Sequence, residues 1–202
     1  MNVEKPSRDT ITGVVLAGGK ARRMGGLDKG LVPFAGKPLV EWVIDSLTPQ
    51  VGSLLISANR NLDVYAAYGH EVVPDDMQGF QGPLAGFASA MRRAATPWIT
   101  TMPCDGPFPA PDLVARLCTA LIEQDAAIAV ATDGKRMQPV YALIPVSLDA
   151  SIRTYLQAGE RKLHAWYARH RVALADLGDR PDSFANVNSA EDSILLERAR
   201  KQ

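Results

Sequence analysis

A chain of 202 residues that is 47% apolar, 22% charged and formally neutral suits a single α/β domain with a full core, and it has no overall field to draw nucleic acid or an anionic membrane. Its cysteines, Cys104 and Cys118, have no His or Cys nearby at metal-ligand spacing, which argues against a disulfide framework and a zinc site and leaves two reduced thiols. Residues 1–10 are polar with no apolar signal core, and no run approaches the length of a membrane span, so a cytoplasmic protein without a membrane partner is expected.

In chain order, residues 1–10 are expected to form a flexible extension and residues 11–202 a single domain. Strand signals alternate with helical ones, which predicts a Rossmann-like, mostly parallel sheet with helices on both faces. Residues 12–16 read as the first strand. Beyond a glycine-rich loop, Leu39, Val43, Ile44 and Leu47 form a one-sided helical stripe that starts at Pro38. Strand 53–58, a short helix 62–68 and a short strand 72–73 follow. A second glycine-rich turn, Gly79-Phe80-Gln81-Gly82-Pro83, leads into helix 84–94, and strand 98–102 ends at Pro103-Cys104-Asp105-Gly106. Helix 111–123 and strand 126–131 come next. Asp133-Gly134 then turns the chain into 138–144, a hairpin and hence an antiparallel element. Helices 147–158 and 162–170, extended segments 171–175 and 184–187, and a final helix to residue 200 opened by Ser189 and Asp192 complete the chain.

The loop after the first strand carries Gly18, Gly19, Gly25, Gly26 and Gly30 among Lys20, Arg22, Arg23 and Lys29. Glycines let backbone N–H groups approach an anion, and the cations neutralise charge that a desolvated triphosphate brings into a cleft. In an open parallel sheet, ligands bind beyond the carboxyl ends of the strands. The glycine loop, Ser57 with Asn59, Asp75 and Asp105 all fall there. A basic glycine loop facing an aspartate is the arrangement expected for a magnesium nucleoside triphosphate. Gly18 and Gly19 would turn beneath the phosphates, Gly25 and Gly26 would close the loop, and Arg23 with Lys29 would hold the β- and γ-phosphates. Gly82 and Gly86 would shape a wall for base or ribose. Neither the Gly-x-x-x-x-Gly-Lys-Ser/Thr nor the Gly-x-Gly-x-x-Gly fingerprint follows the strand, which lowers the case for a hydrolytic NTPase or a dinucleotide-dependent redox enzyme. Cys104 reads as a packed thiol rather than a nucleophile. His70, His164 and His170 read as surface or helix-end residues.

Leu16 to Lys29 matches the pattern Leu-Ala-Gly-Gly-x-x-x-Arg-Met-Gly-x-x-x-Lys of nucleotidyltransferases that join NTPs to phosphorylated acceptors. With Gly36-Lys37-Pro38-Leu39, Asn59-Arg60, Gly82-Pro83-Leu84-Ala85-Gly86, Pro103-Cys104-Asp105, Gln157-Ala158-Gly159-Glu160-Arg161 and Asn186-Val187-Asn188, the chain after Thr10 resembles the molybdenum cofactor guanylyltransferases over nearly its whole length. The resemblance implies that GTP, as its Mg²⁺ complex, donates GMP to the phosphate of molybdopterin with release of pyrophosphate. It implies nucleotide contacts at Leu16, Ala17, Gly18, Lys29, Asp75 and Asp105, with Asp105 as metal ligand. Gly19, Gly26, Ser57, Asn59, Gly82 and Gly86 join the nucleotide site. A position commonly Asn in that family is Ser57 here, so a contact made there would fall to a shorter hydroxyl or to Asn59. Asn186, Asn188 and Arg161 would meet the acceptor. Arg23, Lys29 and Asp105 are the expected catalytic set. A monomer that works with cofactor-insertion proteins and molybdoenzymes is the expected setting. The alternatives are a cytidylyltransferase for the same cofactor, a sugar-phosphate nucleotidyltransferase, and a non-catalytic nucleotide-sensing module, which would need the glycine loop but not Asp105.

Overall fold

The computed structural model describes residues 5–18, 28–77, 82–187, 192 and 196. An apolar run with no helical period becomes β1, Ile11–Leu16, buried along almost its whole length. The chain resumes in a short hairpin, β2 (Pro33–Phe34) and β3 (Lys37–Pro38), before α1 (Leu39–Leu47). Then come β4 (Ser53–Ser57), α2 (Leu62–Ala66), β5 (Glu71–Val73), α3 (Pro83–Arg93), β6 (Trp98–Pro103) and α4 (Leu113–Glu123). Strands β7 (Ile128–Thr132) and β8 (Met137–Pro145), helices α5 (Asp149–Gln157) and α6 (Leu163–Tyr167), and strand β9 (Val172–Asp176) follow.

Among the described residues the main sheet has seven strands in the order β5-β4-β1-β6-β8-β7-β9. Only β8 runs against its neighbours, β6 and β7, as the Asp133-Gly134 turn predicts. There Asp133 Oδ1 accepts from the amides of Lys135 at 2.8 Å and Arg136 at 2.6 Å, and Gly134 takes φ +82°, a conformation that favours glycine.

Alternation along the strands sends side chains to two layers. Ile11, Val15 and Ala17 of the first strand and its extension pack with α1 and α4, whereas Val14 faces α3, α5 and α6 on the other side. Gly13 lets α1 lie directly on the strand: a Cβ there would stand 3.0 Å from Leu47 Cδ2 and 3.1 Å from Val51 Cγ2. A smaller cluster of Phe34, Leu39 and Val187, with Leu196 against it, ties the hairpin to the C-terminal part of the chain.

Ahead of Ile11, Arg8–Thr10 is a 3-10 turn, with Arg8 Nε donating to Pro49 O at 3.1 Å. Of the segment read as extended at 184–187, Phe184 departs as the last residue of a 3-10 turn, Pro181–Phe184, and Ala185 is extended; Pro181 sets a helical φ at the turn's first position. The final helix lies largely outside the described residues, of which Asp192 and Leu196 are helical.

The order of strands sets the position of the site. From β1 the chain steps outward to β4 and β5, then returns through α3 to β6 on the opposite side of β1. That reversal leaves a crevice beyond the carboxyl ends of β1 and β6.

Candidate active site

Leu16, the last residue of β1, is in register with Ser57 on one side and Pro103 on the other. The ladder continues one step further, with Ala17 N donating to Ser57 O at 2.8 Å and Cys104 N to Leu16 O at 3.1 Å. Gly18 then leaves the sheet beside Asn59, whose Nδ2 would stand 3.2 Å from a Cβ at that position. Leu16, Ala17, Gly18, Ser57, Asn59 and Asp105 therefore share one end of the sheet. Gly19, Arg23, Gly25 and Gly26 lie outside the described residues.

The chain re-enters at Asp28, and Lys29 reaches across to the third strand end. Lys29 Nζ lies 3.0 Å from Asp105 Oδ2, with side chains 31% and 14% exposed. Asp28 is buried, and its Oδ1 accepts from Tyr65 OH at 2.6 Å and Gly30 N at 3.3 Å while Oδ2 accepts from Asn61 Nδ2 at 2.9 Å. Burial, the nearby Cys104 and the hydrogen bond to Asp28 all raise the Tyr65 pKa, so its hydroxyl stays a donor. Cys104 is buried behind this pair, and burial together with the charges of Asp105 and Asp28 pushes its thiol well above the ordinary range. It is the packed thiol the sequence suggests, not a nucleophile.

On the other flank Asn59 and Asp75 form a reciprocal pair: Asn59 Nδ2 donates to Asp75 Oδ2 and Asp75 N to Asn59 Oδ1, each at 2.8 Å. Burial raises the Asp75 pKa, the Asn59 hydrogen bond opposes it, and Asp76 adds to the rise. Gly82 takes φ +76° as it turns the chain into α3. One turn further on, Gly86 lets α3 approach the strand ends, because a Cβ there would meet Ser57 Oγ at 2.8 Å and Leu16 Cδ2 at 3.0 Å. The Ser57 side chain thus faces the helix, and Asn59 stands nearer the mouth.

Asn186 is brought to the same end. Val187 N donates to Asp105 O at 3.0 Å, and Val187 is buried against Phe34 and Leu39. Arg116 on α4 grips the preceding loop by both oxygens of Asp179, at 2.6 and 2.7 Å. Asn188 lies outside the described residues. Arg161 is engaged locally, its Nη1 donating to Leu156 O at 2.7 Å and Glu160 O at 2.6 Å at the C-terminal end of α5.

Among the described residues no three His, Cys, Asp or Glu side chains converge as a cage for a metal ion. Asp105 offers a hard oxygen donor with a cation beside it. That suits Mg²⁺, which keeps several waters and takes one or two carboxylates together with substrate phosphates. Sequence reasoning missed Asp28, Asn61 and Tyr65 as parts of this site. Asp28 carried a signal in its place before Lys29, while Asn61 and Tyr65 carried none.

A model of the MobA-like NTP transferase domain matches residues 13–174. The chain is 47% identical over 190 residues to a molybdenum cofactor guanylyltransferase of Shewanella piezotolerans, covering 94% of this chain and 93% of that protein. It is 50% identical over 186 residues to one of Shewanella sp. strain MR-4, covering 92% and 94%. In fold it is similar to the crystal structure of molybdopterin-guanine dinucleotide biosynthesis protein A from Archaeoglobus fulgidus, with a TM-score of 0.79 at 22% identity over 94% of this chain and 98% of that one.

Proposed function

The chain belongs to the MobA-like NTP transferase domain family, and from that premise we propose that it transfers GMP from GTP to the phosphate of molybdopterin, forming molybdopterin guanine dinucleotide and pyrophosphate. Its relatives bear the guanylyltransferase name across nearly their full length. The observation that carries the reading is Lys29 Nζ at 3.0 Å from Asp105 Oδ2, a cation and a carboxylate at the crevice where the strand order reverses.

Nucleotidyl transfer needs no protein nucleophile: an acceptor phosphate oxygen attacks the α-phosphorus, the bond to the β-phosphate breaks and pyrophosphate leaves. The protein's work is positioning and charge neutralisation. In this proposal Lys29 and Arg23 hold the β- and γ-phosphates, and amides from Leu16 to Gly19 with Gly26 line the nucleotide. Asp105 would hold Mg²⁺, which when bound neutralises charge on the phosphate oxygens and on the departing pyrophosphate. Asp75, held by Asn59, and the turn at Gly82 form the nucleoside side, with Gly86 and Ser57 packed behind it as the wall. Asn186, beside Asp105, faces the acceptor with Asn188 and Arg161. A cytoplasmic monomer acting with cofactor-insertion proteins and molybdoenzymes completes the proposal, and among the described residues no helix is long and apolar enough to cross a membrane.

The test is to incubate purified protein with Mg²⁺, molybdopterin and each NTP in turn and identify the dinucleotide by mass. GTP is expected to give the product. A cytosine dinucleotide formed as readily from CTP would overturn the choice of base.

A further inference from the structure

Asp28 is 8% exposed, and a buried carboxylate is tolerated only where hydrogen bonds satisfy it. Its donors come from two directions. Gly30 N belongs to its own turn, whereas Tyr65 OH and Asn61 Nδ2 belong to α2 and the residue that caps it, more than thirty positions along the chain. Asn61 sits at φ 51°, ψ 36°, a left-handed conformation that Asn adopts more readily than most residues. Tyr65 is fully buried. Contact is close on the other side of Lys29 too: a Cβ at Gly30 would stand 2.6 Å from Tyr65 OH and 3.1 Å from Cys104 Sγ. Lys29 is thus held between two residues that press on α2 and on the neighbour of Asp105.

We propose that Tyr65 and Asn61 are positioning residues for the phosphate grip: through Asp28 they fix the backbone from which Lys29 reaches the crevice. The inference rests on the reading that Lys29 meets the triphosphate. A lysine side chain is long and flexible, so its aim depends on how firmly its backbone is held. Tyr65 touches neither nucleotide nor metal in this scheme, and its effect passes through Lys29.

The experiment titrates GTP and GMP, each with Mg²⁺, into the wild-type protein, Tyr65→Phe, Lys29→Ala and the double variant by calorimetry, with folding of each checked by circular dichroism. Tyr65→Phe is expected to weaken GTP by about tenfold, the loss typical of a hydrogen bond to a charged group, and to leave GMP unchanged. In the Lys29→Ala background the same substitution is expected to cost nothing further for GTP. A merely structural tyrosine would weaken both nucleotides alike, or weaken GTP equally with and without Lys29. Either result, or undiminished GTP binding by Tyr65→Phe, overturns the inference. Should Tyr65→Phe fail to fold, Asn61→Gly removes the donor to the other carboxylate oxygen while suiting the left-handed backbone, and the same outcomes decide. If Lys29→Ala itself weakens GTP and GMP equally, the phosphate grip falls and the inference with it. If Lys29→Ala discriminates between them and neither positioning variant does, only the inference falls.

Discussion

Lys29 Nζ and Asp105 Oδ2 are 3.0 Å apart although their residues are 76 positions apart in the chain. The pair is only partly buried, so it contributes little to stability, about 1 kcal/mol or less. In the proposed reaction its two members act instead on the phosphates and the metal, where a unit charge pair at about 4 Å is worth on the order of 4 kcal/mol at an effective dielectric of 20 before desolvation. Asp105→Asn should therefore fold normally and lose Mg²⁺-dependent pyrophosphate release by about a hundredfold or more. Thermal unfolding and a pyrophosphate assay check the two halves. Full activity in this variant would remove Asp105 from metal binding.

The two thiols should behave differently. Cys104 is buried, with its pKa raised by desolvation and then by Asp105 and Asp28, so it lacks both thiolate and access. Burial pushes Cys118 up to about 11, yet that residue is only half-buried on α4. Alkylation of the folded protein at about pH 8 should be slow. Raising the pH should speed modification of Cys118, and Cys104 should react only on unfolding. Peptide mapping of the alkylated sites decides, and early labelling of Cys104 would contradict its placement.

Burial at Asp75 leads to an expected pH dependence of stability. Its folded pKa is raised, so the native state holds that proton more tightly than the unfolded chain. This contribution is present below the ordinary carboxylate range, roughly pH 4, and is lost as the pH rises through the folded value. Asp75→Asn cannot titrate and keeps an oxygen for Asn59. The thermal midpoint of wild type minus that of the variant should fall as the pH is raised from acid towards neutrality, then level off. A difference that grows with pH would reverse the assignment. At neutral pH the same variant should bind GTP more weakly, as calorimetry would report.

How much of this was legible in the sequence follows from the range of each interaction. The β1 run, the α1 stripe and the Asp133-Gly134 turn are decided by residues close in the chain, and each matches the structure to within one or two positions. That Lys29 and Asp105 share an end of the sheet followed from strand polarity alone. The β2–β3 hairpin was invisible because its turn puts Ala35 at φ 46° ahead of Gly36 at φ 90°, and alanine signals no left-handed conformation. Tyr65 and Asn61 were invisible for another reason. Their link to Asp28 exists only once α2 folds back towards the re-entering loop, and no local pattern encodes that meeting.

Gly86 is where packing and site meet most closely, and it yields a coupling prediction. Adding a Cβ brings it to 2.8 Å from Ser57 Oγ and 3.0 Å from Leu16 Cδ2. Overpacking of this kind costs about 1–3 kcal/mol, while exchanging glycine for alanine inside a helix returns about 1 kcal/mol. Overpacking wins, so Gly86→Ala should lower stability by about 1 kcal/mol and raise the KM for GTP by displacing Leu16 and Ser57 at the strand ends. In a Ser57→Ala background the nearest obstacle is gone, since the Ser57 Cβ lies at an ordinary 3.7 Å, and the same substitution should cost less. Denaturant unfolding of the four proteins in this cycle measures the difference. An equal cost in both backgrounds would mean that room beside Ser57 is not what this glycine provides, and the close seating of α3 on the strand ends would need another cause.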